Sequence, residues 1–224
     1  MVKMMGLEGK KSKRQRRVAW LDRIGYVSVV VFILVLAFLS YNALLHPPQS
    51  NQKSSLTAAI VDQLSLTQPN PNFKETFTDI LEEANFTVDY YAGDRVTVDF
   101  YRNLPSQGYD LIVLRVHSAL LVEKGQYTDR CTFFTSELYR QGKYFLDEYN
   151  ERVVPVMYFH GGTTYFGVSP EFVRSSMKGR FNNTIVIMMG CNGLTGIQMA
   201  EAFVEKGAKA YIGWDEHVSA DHTD

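Results

Sequence analysis

Cys191 sits in the run Gly190-Cys191-Asn192-Gly193, directly after the apolar stretch Thr184-Ile185-Val186-Ile187-Met188-Met189. A thiol becomes a strong nucleophile once it loses its proton, and it needs a base to take that proton. The pattern predicts a strand over 184–189, apolar throughout as for one covered on both faces, and a helix from about Leu194. The thiol then feels a helix N-terminus, which favours the thiolate. Gly190 and Gly193 permit a tight turn and the close approach of a substrate backbone, with Asn192 between them. His117 closes a second apolar run, Leu111-Ile112-Val113-Leu114-Arg115-Val116, and is the candidate general base. Each residue taken alone has a blander reading, a small buried cysteine and a structural or solvated histidine. Together they stand at the carboxyl ends of two strands, where open parallel sheets collect functional residues.

The elements that must position them alternate between strand and helix. Ala58-Ala59-Ile60-Val61 is the first strand, and Asn70-Pro71 opens a helix whose Phe73, Phe77, Ile80, Leu81 and Ala84 recur at helical spacing. Phe86 to Tyr91 is a second strand, Val98 to Asn103 a short helix, and Leu111 to Val116 the third strand. From His117 to Gly167 the pattern is less regular. It holds a helix around Tyr144 to Tyr149, an apolar run from Val153 to Phe159, and a hairpin turn over His160 to Thr164 that leads to Tyr165-Phe166. Glu171 to Met177 is a short helix. The helix after Cys191 carries Ile197, Ala200, Phe203 and Val204 on one face, ends at Gly207, and is followed by a strand over Ala210 to Trp214. This alternation implies an α/β domain with a mainly parallel sheet. No covering helix is expected after Trp214, so the domain over 56–224 reads as truncated at its C-terminal end.

The runs Asp110 to His117 and Thr184 to Gly193, the Ala200-Glu201-Ala202-Phe203 helix, and Gly207-Ala208-Lys209-Ala210-Tyr211-Ile212-Gly213-Trp214 together resemble the caspase-like cysteine peptidases. The likeness is to gingipain-type and related prokaryotic members, and it covers about the last half of the chain. It implies a three-layer α/β fold, Cys191 as nucleophile, His117 as base and leaving-group acid, and a peptide or protein substrate. It also implies an oxyanion hole built from the Cys191 backbone N–H and one beside the histidine, a kind of group that often supplies the largest catalytic contribution. The binding residues expected on this basis are Ser118, Gly190, Asn192, Gly193 and Asp215. Ser118 departs from the family's His-Gly pattern, whereas His160-Gly161-Gly162 matches it literally. His117 is preferred because its strand has the buried parallel character, while His160 falls in a hairpin turn.

Asp215, Glu216 and Asp221 follow the last strand, where relatives form part of the pocket for the residue before the scissile bond. An acidic pocket would select Arg or Lys, but a solvated acidic loop is the simpler reading. His217 and His222 lie in the same loop at no standard zinc spacing, so neither a metal nor a cofactor is expected. Two other functions compete with the peptidase. One is a caspase-like module that has lost activity and binds a partner, with Ser118 as the first sign of decay. The other, a dinucleotide binder, lacks the Gly-x-Gly-x-x-Gly fingerprint after the first strand.

The N-terminal fifth reads differently. Lys10-Lys11-Ser12-Lys13-Arg14-Gln15-Arg16-Arg17 precedes Ile24 to Leu45, which holds no charged side chain. At about 1.5 Å per residue such a helix spans the roughly 30 Å hydrocarbon core. The long basic stretch, the long apolar run and the absence of a clear small-x-small cleavage site argue for an anchor over a cleaved signal. The organisation expected is a basic cytoplasmic tail over 1–23, a single membrane span over 24–45, a polar linker over 46–55 opening with Pro47-Pro48, and the domain outside the cell membrane. A lipid bilayer is therefore an expected partner. With a net charge of −1 over 224 residues, and with its basic residues gathered before the span, the chain lacks the basic face of a nucleic-acid binder. The two cysteines, Cys131 and Cys191, could pair in an oxidising compartment.

Overall fold

In the computed structural model the described residues are 56–224, apart from His160 and the side chain of Asp221. The expected tail, span and linker lie outside them, as does the alternative base His160. Among the described residues no helix is long and apolar enough to cross a membrane.

β1 (Leu56–Asp62), β2 (Phe86–Ala92), β3 (Leu111–Arg115), β8 (Ile185–Met188) and β9 (Ala210–Ile212) form one sheet in the order β2-β1-β3-β8-β9. Every neighbouring pair in it is parallel. The period of two along the strands sorts their side chains between two cores. Ala59, Val61, Ile112, Leu114, Val186 and Met188 point to one, and Ala58, Ile60 and Val113 to the other. The second core is closed by Phe73 and Leu81 of α1 (Pro71–Glu83). That helix starts where it does because Pro71 needs no N–H partner and the Asn70 side chain accepts the Phe73 N–H at 3.1 Å. The first and larger core takes Val98 and Tyr101 from α2 (Val98–Asn103), Phe172 and Val173 from α4 (Pro170–Ser175), and Met199, Ala202 and Phe203 from α5 (Gln198–Glu205).

The stretch from His117 to Gly167, whose sequence pattern is less regular, is mostly a second sheet. β4 (Ser118–Glu123), β5 (Gln126–Leu138), β6 (Val153–Met157) and β7 (Thr164–Val168) are antiparallel in the order β4-β5-β7-β6. Cys131, Phe133, Phe166 and Val168 bury one face of it in the larger core. The expected β6–β7 hairpin is present, and the short helix near Tyr144 is α3 (Phe145–Tyr149). The β4–β5 hairpin turns on Lys124 and Gly125, both with positive φ (51° and 78°), the pairing a type I′ turn requires.

Two further expectations are corrected. The helix after Cys191 begins at Gln198 rather than Leu194, because residues 191–197 form a looped turn that packs on β5. An added Cβ on Gly196 would lie 1.8 Å from the Asp129 carbonyl oxygen, so that loop approaches closely only with glycine there. The chain after β9 also carries a helix, α6 (Ala220–Thr223), which lies across the strands' carboxyl ends where none was expected.

Candidate functional site

The carboxyl ends of β1, β3 and β8 converge on a cavity of about 410 Å³, whose lining includes His117, Ser118, Gly190, Cys191 and Asn192. β1 and β3 are adjacent, but the chain leaving β1 goes to β2 on one side and the next strand of the sheet after β3 is β8 on the other, the switch point at which open α/β sheets place their ligands. The sequence-derived pair, His117 and Cys191, thus leaves two hydrogen-bonded neighbouring strands and meets one cavity.

His117 is fixed by groups that follow β1. Gln63 is fully buried; its Oε1 accepts the His117 backbone N–H at 3.0 Å, and its Nε2 donates to the Tyr158 hydroxyl at 2.7 Å. Tyr158 stacks on Phe134, ring centroids 5.0 Å apart, and packs tilted against the imidazole at 4.6 Å. Burial, assisted by the nearby Arg115 guanidinium, pushes the His117 pKa down to about 4. The ring is therefore neutral at physiological pH, the state in which imidazole accepts a proton. Neither of its nitrogens has a hydrogen-bond partner among the described residues.

Behind it lies a buried ion cluster. Arg115 is 1% exposed, donates from Nη1 to Asp62 Oδ1 at 2.7 Å and from Nε to Asp224 Oδ1 at 2.7 Å, and also bonds the Gln68 carbonyl at 2.9 Å. Its guanidinium also lies 5.1 Å from the Phe73 ring centre. The second Asp62 oxygen accepts the Tyr90 hydroxyl at 2.7 Å. These bonds satisfy both partners of a buried charge pair, without which the burial would be strongly unfavourable. Asp224 ties α6 to the strand that carries His117.

Cys191 follows β8 through Gly190, where an added Cβ would lie 2.2 Å from the Val116 carbonyl oxygen. The Cys191 thiol donates to the Val218 carbonyl at 2.9 Å, and the Ser118 hydroxyl donates to the Cys191 carbonyl. Ser118 therefore bridges the two strand ends. The Cys191 backbone N–H has no acceptor among the described residues, which leaves it free to bind an oxyanion. Six residues separate Cys191 from α5, so the thiol does not stand in the first turn of that helix, where the sequence pattern placed it. No hydrogen bond joins the thiol to His117 among the described residues.

The turn after the cysteine is laced to the segment after β9. Asn192 adopts a positive φ of 54° and donates its N–H to Glu216, and Leu194 donates to the Trp214 carbonyl at 2.7 Å. At Gly193 an added Cβ would lie 2.9 Å from Met188 Cγ and 3.2 Å from the Tyr211 hydroxyl. Asp215 is exposed and lines a neighbouring hollow of about 440 Å³ with Trp214, Glu216 and His222; this hollow shares His217, Val218 and Ser219 with the cavity that holds the pair, but Asp215 does not line that cavity. Cys131 is fully buried in β5, and both cysteines are free thiols, so the pairing considered from sequence is not formed. Burial pushes the Cys131 thiol up to about 12, an effect that its bond with Ser118 lessens and the nearby Cys191 adds to. Among the described residues no group of three His, Cys, Asp or Glu could hold a metal ion.

Sequence reasoning missed Gln63, Arg115, Tyr158, Val218 and Asp224. The available signal was polar Asp62-Gln63 directly after the apolar run of β1, and Arg115 inside that of β3. No protein-family model matches the chain, and no curated protein or solved structure matches it either.

Proposed function

We propose that the chain is a membrane-anchored, caspase-like cysteine peptidase, in which residues 24–45 span the bilayer and a three-layer α/β domain carries a His117–Cys191 dyad. The observation that carries this reading is that His117 and Cys191 leave adjacent parallel strands and line one cavity, the imidazole neutral and its nitrogens without a hydrogen-bond partner among the described residues.

The chemistry follows from that state. The thiol exchanges its Val218 acceptor for the imidazole, which takes its proton as Sγ attacks the peptide carbonyl carbon. A C–S bond forms, the carbonyl electrons move to oxygen, and the resulting oxyanion is met by the Cys191 backbone N–H. The imidazolium returns its proton to the leaving amine as the C–N bond breaks, which leaves a thioester. His117 then deprotonates a water that attacks the thioester, and the acid product leaves with Cys191 regenerated as a thiol. Ser118 holds the two strand ends in register.

A second reading is favoured by one observation, the resting thiol committed to the Val218 carbonyl. On that reading the domain is a catalytically silent binding module. Fluorogenic peptide cleavage by the wild-type chain, lost in Cys191→Ala and His117→Ala, is the result expected of the peptidase. Iodoacetamide should also label Cys191 well before the buried Cys131. Equal, slow labelling of both thiols with no cleavage would sink the peptidase and leave the module.

A further inference from the structure

A second hollow, of about 860 Å³, opens from the candidate site and shares Ser118, Tyr158, Asn192 and His217 with it or its rim. Its walls come from β4 and from β6 with the turn that follows, the two outer strands of the antiparallel sheet. Large apolar side chains stand open to solvent there: Tyr127 is 80% exposed and Phe159 70%, and Val122 and Met157 are exposed as well. Exposed apolar groups gathered in one groove mark a binding surface, whereas scattered ones do not. A strand with an unpaired outer edge also offers a row of main-chain donors and acceptors to an incoming extended segment.

We infer that this groove binds the substrate's extended chain on one side of the scissile bond and selects large apolar side chains there. The inference rests on the peptidase reading for the words substrate and scissile bond, and on the groove alone for its selectivity. Direction and length follow from β4. The strand begins at Ser118, next to His117, and leads away from the pair. At about 3.3 Å per residue, the four steps to Val122 cover roughly 13 Å, the reach of about four extended residues. The preference therefore falls within four residues of the bond cut. The occupant is a peptide segment because the apolar surface and a strand edge left unpaired among the described residues run together into the cavity lined by Cys191 and His117. A bilayer would use the apolar surface alone.

The test uses the full chain carrying Cys191→Ala in phosphatidylcholine nanodiscs, with empty nanodiscs as the blank. Fluorescein-labelled decapeptides with a Leu-Phe-Leu-Val block are compared, by anisotropy, with decapeptides carrying Ser-Gln-Ser-Thr in its place. The apolar block should bind about tenfold more tightly or better. Adding Val122→Ser and Phe159→Ser, both at exposed positions, should bring the two affinities together without moving the unfolding midpoint. In the wild-type chain the same pair of substitutions should raise KM for apolar peptides with kcat unchanged. Selective binding without any wild-type cleavage would refute the dyad and uphold the groove. Equal affinities in the parent, or selectivity untouched by the two substitutions, would overturn the groove. Hydrogen-exchange protection of residues 118–127 by nanodiscs without peptide would assign this face to lipid and overturn it too.

Discussion

Replacing Gly190 by alanine tests whether the candidate site depends on the close approach of two strand ends. The added Cβ would lie 2.2 Å from the Val116 carbonyl oxygen and 2.5 Å from Met188 Cε. The methionine tip can swing aside, but the carbonyl belongs to the backbone leading into His117. Relieving the clash needs an opening of about 1 Å between the ends of β3 and β8, and overpacking of this kind costs about 1–3 kcal/mol. A misplacement of about 1 Å between reacting groups lowers turnover by about a hundredfold. Urea unfolding of the full chain should therefore show a lower midpoint, and peptide cleavage should fall by roughly two orders of magnitude. Gly142→Ala is the control. Gly142 also resists substitution, because its φ is +80°, but an added Cβ there meets nothing within 4 Å. That variant should lose about 1 kcal/mol to backbone strain with cleavage intact. Wild-type midpoint and cleavage in Gly190→Ala would refute the reasoning.

Arg115→Met should lower stability by about 3–5 kcal/mol, because Asp62 and Asp224 are then buried together without their cation. Adding Asp62→Asn should restore part of the loss in urea unfolding, and a milder loss with no such rescue would contradict the cluster. His117 binds its proton less readily folded, at about 4, than its ordinary 6.5, so the unfolded chain takes up more protons between those values. Its contribution to stability is then full above pH 6.5 and disappears as pH falls towards 4. At about 1.4 kcal/mol per pKa unit the displacement is worth some 3 kcal/mol, or about 2 for a ring partly open to solvent. A pH series of unfolding midpoints should lose that slope in His117→Gln; an unchanged slope would place the titration elsewhere.

The middle of the parallel sheet was legible because β1, β3 and β8 lie between neighbouring strands and read as apolar runs, from Ala58-Ala59-Ile60-Val61 to Ile185-Val186-Ile187-Met188. The β4–β5 hairpin was not legible, since Lys124-Gly125 replaces the usual Asn-Gly signal and β5 carries Thr128, Asp129 and Arg130 before its buried segment. The positions of His117 and Cys191 at strand ends could be read from the chain, because a strand end is a local feature. Their surroundings could not. Gln63 reaches His117 across 54 positions and Asp224 reaches Arg115 across 109, so those partners are set by topology. The helix start was misplaced for a related reason. Leu194 and Ile197 fit a helical face, but Gly193 and Gly196 are used for close packing in a turn, and Gly196 meets the Asp129 carbonyl.

The choice between peptidase and silent module comes down to one exchange of hydrogen bonds. In the resting state the Cys191 thiol is bound to Val218, while His117 has no partner for either ring nitrogen among the described residues. A thiol is a weak donor, and even an ordinary hydrogen bond contributes only about 1 kcal/mol net, so releasing Val218 costs less than a bound peptide returns. The restraint on the exchange lies elsewhere. Val218 belongs to the segment between Trp214 and α6, which is fastened at one end through Leu194 and Asn192 and at the other by Asp224 on Arg115. On the peptidase reading, a substrate has to displace only the Val218 carbonyl from the thiol, leaving both fastenings in place. A thiol donor yields more readily than the buried Arg115–Asp224 ion pair at the segment's far end, which is the order the peptidase reading requires.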